Sequence, residues 1–186
     1  MTAEPAPRPR VPLLERDQVP DEVAALYDQL MHDRGVVPNM FKALANVPAL
    51  AVAMPALLKP LMGDGALPAA YKELIATRVA SLNECNYCVS AHRQLALQRG
   101  ATPEQIGAID TFESGPFSPK EKSGFRYAGM LHLSGHAISE QTYRAVRAHF
   151  NHQELIELTA VAAAFEFFSR INTALHIPVT PIPENS

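Results

Sequence analysis

Apolar residues recur every three to four positions through most of this chain, the period of an amphipathic helix, and the breaks between the runs carry helix punctuation. Val23, Leu26, Tyr27 and Leu30 share one face of a helix predicted from Glu22 to about Arg34, capped by Asp21 and stopped by Gly35. Asn39 to Asn46 and Pro48 to about Met62 predict two further helices, with Pro55 and Pro60 expected to make the second irregular or short. Strong helix formers fill Pro68 to Leu82, with Ala70, Leu74, Val79 and Leu82 on one apolar face, and another helix runs from about Tyr87 to Arg99 before Gly100. Thr102 with Gln105 and Ser118 with Glu121 form capping-box patterns with a proline in the first turn, each opening a helix. Ser139 starts one to about Phe150, and Asn151 with Glu154 starts the longest, to about Leu175. No stretch alternates apolar and polar residues long enough for a strand, so the fold class is all-α.

The two ends break this pattern. Pro5, Pro7, Pro9, Pro12 and Pro20 at the start, and Pro178, Pro181 and Pro183 at the finish, oppose helix through fixed φ and missing N–H groups. The expected organisation is a proline-rich arm over 1–20, one helical domain over 21–176, and a tail over 177–186. Such arms either lie across a neighbouring subunit or lack order. With 47% hydrophobic residues in 186, the chain can bury a core without covalent staples. The net charge of −3, from 16 basic and 19 acidic residues well mixed along the chain, provides no basic stripe for nucleic acid. No run of 18 apolar residues occurs, and the first ten residues lack the apolar core of a signal peptide, so a cytoplasmic protein without a membrane segment is expected.

Composition matters most at the cysteines. There are only two, Cys85 and Cys88, too few for a secreted disulfide framework, and their spacing suits reversible redox chemistry. They lie one turn apart where the second opens a helix, so a disulfide can close with little backbone movement. The helix N-terminus is expected to stabilise a thiolate at Cys88 and make it the better nucleophile. His92 follows Cys88 by four residues, on the same face as Leu95 and Arg99, where an imidazole can move protons. Glu73 sits on the preceding helix in a stripe with Ala76 and Ala80, small residues that admit a close neighbour; buried there, its carboxyl is expected to have a raised pKa and act as a base. The competing readings are a pair of buried small hydrophobes, or a zinc site using Cys85, Cys88, His92 and Glu73, which lacks the usual second ligand pair. The remaining histidines read as surface or satisfied residues, although His149 and His152 flank a helix boundary where a metal can bind. Phe165, Phe167, Phe168, Met130 and Met31 read as core or subunit interface. Phosphate loops, nucleophile elbows and His-Glu-x-x-His patterns are missing from the sequence.

A glutamate, eleven residues, Cys-x-x-Cys, three residues and a histidine, as Glu73, Cys85, Cys88 and His92 stand here, resembles the core pattern of the alkylhydroperoxidase (AhpD)-like branch of the carboxymuconolactone decarboxylase superfamily. The segments 35–44 and 167–172 are similar to flanking features of its peroxidase-related members, so the resemblance covers about residues 20 to 178. It implies an AhpD-like helical bundle assembled as a homo-oligomer, without bound haem, flavin or metal. It further implies a thiol peroxidase acting on a small hydroperoxide or disulfide, with Cys88 peroxidatic, Cys85 resolving, and Glu73 and His92 as proton relay. The reductant it implies is an external dithiol, such as a lipoyl group on a partner or a thioredoxin-like protein. Tyr87 stands where the founding enzymes have a histidine, which removes part of that relay or replaces it with a phenol. Two other functions remain open: a thiol–disulfide exchanger or redox sensor that does not turn over peroxide, and an acid/base enzyme using Glu73 and His92.

Overall fold

A computed structural model describes residues 8–181, and among them there are nine α-helices, three short 3-10 turns and no strand. The helices are α1 (Asp21–Arg34), α2 (Asn39–Leu44), α3 (Pro48–Met62), α4 (Ala69–Leu82), α5 (Asn86–Gln98), α6 (Pro103–Gly107), α7 (Pro119–Ser134), α8 (Glu140–Arg147) and α9 (His152–Ala174). The all-α expectation is met.

Local signals set most of the boundaries. Gly35 stops α1 in the left-handed conformation at φ 68°, and Gly100 follows α5 at φ 98°. The capping boxes at Thr102 and Gln105, Ser118 and Glu121, and Asn151 and Glu154 all form, side chain to backbone in both directions. Two expectations need correction. Asp21 is the first helical residue and Pro20 precedes it as the cap, because proline's extended conformation already sets the entry angle. Helix α3 runs unbroken through Pro55 and Pro60, since Ala51, Met54 and Met62 are buried and that packing outweighs the backbone hydrogen bonds the prolines cannot make.

Helix α4 is the axis of the bundle and packs against α5, α7 and α9. It is buried on nearly every side, including Lys72, Glu73 and Thr77, so the single apolar face predicted for it understates its position. The Lys72 ammonium, wholly buried, pairs with Glu157 at 2.8 Å and donates to the Gly63 carbonyl. Glu157 in turn accepts the Ala66 and Leu67 N–H groups, which binds the α3–α4 connection to α9. Phe125 on α7 anchors the core, its ring meeting Tyr71, Phe112 and Phe117 at centroid distances of 5.4, 5.4 and 5.0 Å. Phe165 and Phe168 are buried in the core, and Phe167, Met130 and Met31 are exposed on the single chain.

The described parts of both arms lie on their own chain. The Arg10 N–H donates to the Leu175 carbonyl and the Leu14 N–H to the Lys42 carbonyl, while the Asn39 side chain donates to the Pro178 carbonyl and Thr180 Oγ1 accepts the Asn39 N–H. Residues 1–7 and 182–186, including Pro5, Pro7 and Pro183 of the arms, lie outside the described residues.

Candidate active site

The site is built on the turn between α4 and α5. Glu84 takes the left-handed conformation at φ 53°, the Glu84 N–H donates to the Ser81 carbonyl, and the Cys85 N–H reaches back to Ala80 at 2.9 Å. This is a Schellman stop with glutamate where glycine is usual. The Asn83 amide secures the same turn by donating to the Val79 carbonyl and to Glu166 on α9, which also pairs with His132 on α7 at 2.8 Å. Cys85 emerges from the turn as the N-cap of α5.

The two sulfurs lie 2.7 Å apart with one S–H bridging them, and each residue is only 2% exposed. The Cys88 N–H donates to Cys85 Sγ at 3.3 Å. The helix-terminal donor expected at Cys88 therefore acts on Cys85, because a free N–H at a helix start points back towards the cap and away from its own side chain. The thiol hydrogen bond from Cys88 is the largest influence on Cys85 and carries its pKa from 9.0 down to about 6 against the opposing effect of burial; the Cys88 N–H and the Thr173 and Ser169 hydroxyls help. Cys88 moves the other way, pushed well up by the hydrogen bond it shares with Cys85, then by burial and by the charge on its neighbour. Within the pair, these surroundings favour negative charge on Cys85 over Cys88.

Glu73 and His92 come together. Glu73 Oε2 lies 2.5 Å from His92 Nδ1, and the His92 ring meets Phe165 edge-on at 4.4 Å. With Nδ1 held by the carboxylate, Nε2 is left to exchange protons. Glu73 is 1% exposed but does not stand alone: Arg99 places a guanidinium nitrogen 3.2 Å from Oε1 and also donates to the Met62 carbonyl. The buried carboxylate expected here is therefore an ion-paired one.

Tyr87 does not serve the sulfurs with its hydroxyl. That oxygen accepts the Met40 N–H at 3.2 Å and lies 3.3 Å from Thr180 Oγ1, so the phenol fastens the C-terminal segment to the start of α2. Ile177 then packs with Ala43, Ala80, Cys85, Tyr87 and Cys88, and Val11, Leu13 and Leu175 close the rim.

Besides Thr173, sequence reasoning missed two buried members, both on α9. Asn172 donates its amide to Cys88 Sγ at 3.3 Å, and Ser169, wholly buried, stands beside both sulfurs. Their only sequence signal was the resemblance across 167–172. Among the described residues no three His, Cys, Asp or Glu side chains are grouped to hold a metal ion, and no helix is long and apolar enough to cross a membrane.

The fold is shared with solved structures. An uncharacterized peroxidase-related protein from Ralstonia eutropha JMP134, described as an alkylhydroperoxidase AhpD core, superposes with a TM-score of 0.85 at 24% identity over 94% of this chain and 93% of that one. The debrominase Bmp8 superposes at 0.78, with 22% identity over 92% of this chain and 91% of that one. In sequence, the chain is 26% identical over 108 residues to the uncharacterized YnjA protein of Escherichia coli K12, a match spanning 58% of this chain and 59% of YnjA. Residues 48–130, from the start of α3 into α7 and including Glu73, Cys85, Cys88 and His92, match the Carboxymuconolactone decarboxylase family, a match that spans a little under half of the chain.

Proposed function

We propose that this protein is a thiol-dependent peroxidase that reduces small hydroperoxides through the Cys85–Cys88 pair. The observation that carries the reading is the thiolate–thiol pair at the start of α5, with Cys85 held near a pKa of 6 and the two sulfurs already in contact. In the first step the Cys85 thiolate attacks the terminal oxygen of a hydroperoxide; an S–O bond forms, the O–O bond breaks, and the electron pair leaves with the alkoxide, which takes a proton from His92. Glu73 steadies the imidazolium through Nδ1 and Arg99 balances the carboxylate. The Cys88 sulfur then displaces hydroxide from the Cys85 sulfenic acid, forming the disulfide, and the thiol proton leaves with the hydroxide as water. An external dithiol, such as a lipoyl group or a thioredoxin-like protein, returns both thiols by exchange and is itself oxidised to a disulfide. This assignment reverses the roles implied by the family resemblance, because Cys85 accepts the helix-terminal N–H and its pKa falls, whereas that of Cys88 rises in spite of the Asn172 amide.

The test is consumption of hydrogen peroxide and cumene hydroperoxide by pre-reduced protein with dihydrolipoamide, beside Cys85→Ser and Cys88→Ser. Turnover in the wild type and its loss in both variants is expected. A brominated pyrrole belongs in the same assay, since Bmp8 is a debrominase and one of its structures holds 2,3,4-tribromopyrrole. Thiol-dependent bromide release with neither peroxide consumed would replace this reading with reductive dehalogenation by the same pair.

A further inference from the structure

Four buried side-chain polar atoms lack a hydrogen-bond partner among the described residues: Arg78 Nε, Arg93 Nε, Ser169 Oγ and Asn172 Oδ1. The two arginines have other nitrogens engaged with Asp110. The other two atoms are uncharged, stand one turn apart on α9, and belong to residues that are 0% and 2% exposed beside the cysteine pair. Leaving such groups unpaired costs about 1–3 kcal/mol each, so a protein keeps few of them without a use.

We propose that Ser169 and Asn172 form the subsite that binds the oxygen transferred to sulfur, first as the terminal oxygen of a hydroperoxide and then as the S–O–H of the cysteine sulfenic acid. The inference rests on the peroxidase reading and adds what the site binds. Its basis is complementarity of donors and acceptors. Asn172 Nδ2 already donates to Cys88 Sγ, which fixes the amide and leaves Oδ1 as an acceptor with nothing to accept. The Ser169 hydroxyl stands close enough to favour a negative charge on either sulfur, yet meets the geometry of a hydrogen bond with neither. A thiolate offers Oδ1 no proton, and a disulfide offers neither a proton nor a good acceptor. The terminal O–H of a hydroperoxide, and the S–O–H that follows, provide one proton for Asn172 Oδ1 and oxygen lone pairs for Ser169 Oγ–H. The oxidation itself is the step written above: the S–O bond forms, the O–O bond breaks, and the alkoxide departs to take a proton. Throughout, the transferred oxygen keeps the hydrogen that Asn172 accepts.

The experiment compares two reactions of the same thiolate in full-length Cys88→Ser protein, where the sulfenic acid has no resolving partner. One is oxidation by hydrogen peroxide, followed by dimedone trapping and mass spectrometry; the other is exchange with a dipyridyl disulfide, which transfers no oxygen. Both are measured at a pH where the thiolate is fully formed, so that changes in its pKa cancel in the ratio of rate constants. Ser169→Ala removes a hydroxyl that meets hydrogen-bond geometry with neither sulfur, and at this pH it should lower the peroxide rate about ten-fold while leaving the disulfide rate within about two-fold. Asn172→Ala should move the ratio the same way. A ratio unchanged in both variants, or both rates falling together, overturns the subsite. Failure of the parent to form a dimedone adduct while still reacting with the dipyridyl disulfide refutes the peroxidase reading itself, and the subsite falls with it; an adduct in the parent with an unmoved ratio refutes the subsite alone.

Discussion

Replacing Cys88 with alanine isolates the interaction that makes Cys85 a thiolate. In the intact pair, lowering the pKa from 9.0 to about 6 corresponds to about 4 kcal/mol in favour of the charged form, and the thiol of Cys88 is its largest source. A hydrogen bond to a charged group is worth about 1.5–3 kcal/mol, so its loss should raise the midpoint by about one to two pH units, to roughly 7–8. The Cys88 N–H and the Ser169 and Thr173 hydroxyls remain and keep the value below that of an unassisted buried thiol. The sign is fixed by the charge of the reactive form. Reactivity rises with pH through the midpoint, so at pH 5 the wild type should be slow, and at pH 7 it should be near its plateau while the variant still climbs. The assay is the pH dependence of iodoacetamide alkylation in reduced protein, read as the midpoint because the plateau also responds to the space opened by alanine. Peptide mapping of partly alkylated wild type should find Cys85 modified first. A wild-type midpoint near the free-thiol value of about 8.5, an unmoved midpoint in Cys88→Ala, or earlier modification of Cys88 would each refute the reasoning.

Glu73→Gln preserves volume but removes the charge between His92 and Arg99; with Arg99 about a third exposed, the cost in a urea melt should be about 1–3 kcal/mol, and peroxide turnover should fall with it. Gly124→Ala puts a Cβ within 2.0 Å of the Tyr71 hydroxyl, which must then leave the Glu121 carbonyl; destabilisation of about 1–3 kcal/mol is expected, and Tyr71→Phe in the same chain should recover part of it in a double-mutant cycle. Tyr87→Phe releases Met40 and Thr180, so alkylation of Cys85 should quicken as the covering segment loosens while its pH midpoint stays put; a shifted midpoint or abolished turnover would restore the phenol to the proton relay.

Local signals along the chain govern what lies within a helical turn. The capping boxes at Thr102, Ser118 and Asn151, the glycine stops, and the spacing of Cys85, Cys88 and His92 all depend on partners three or four residues away, and each is legible without a fold. The path of α3 through two prolines was not legible, because burial against distant helices overrules local propensity, nor was Glu84 as a left-handed stop, a place where sequence signals point to glycine. Tyr87 stands between the cysteines in sequence, but its hydroxyl serves the C-terminal segment, since one residue along a helix turns a side chain by about a hundred degrees. The different surroundings of the two sulfurs were decided only in three dimensions. Asn172 reaches Cys88 from 84 residues away, and the direction of one backbone N–H assigns the helix terminus to Cys85. Spacing along a chain names the groups that can react; the direction of donors and the contacts between helices decide which of them carries the charge.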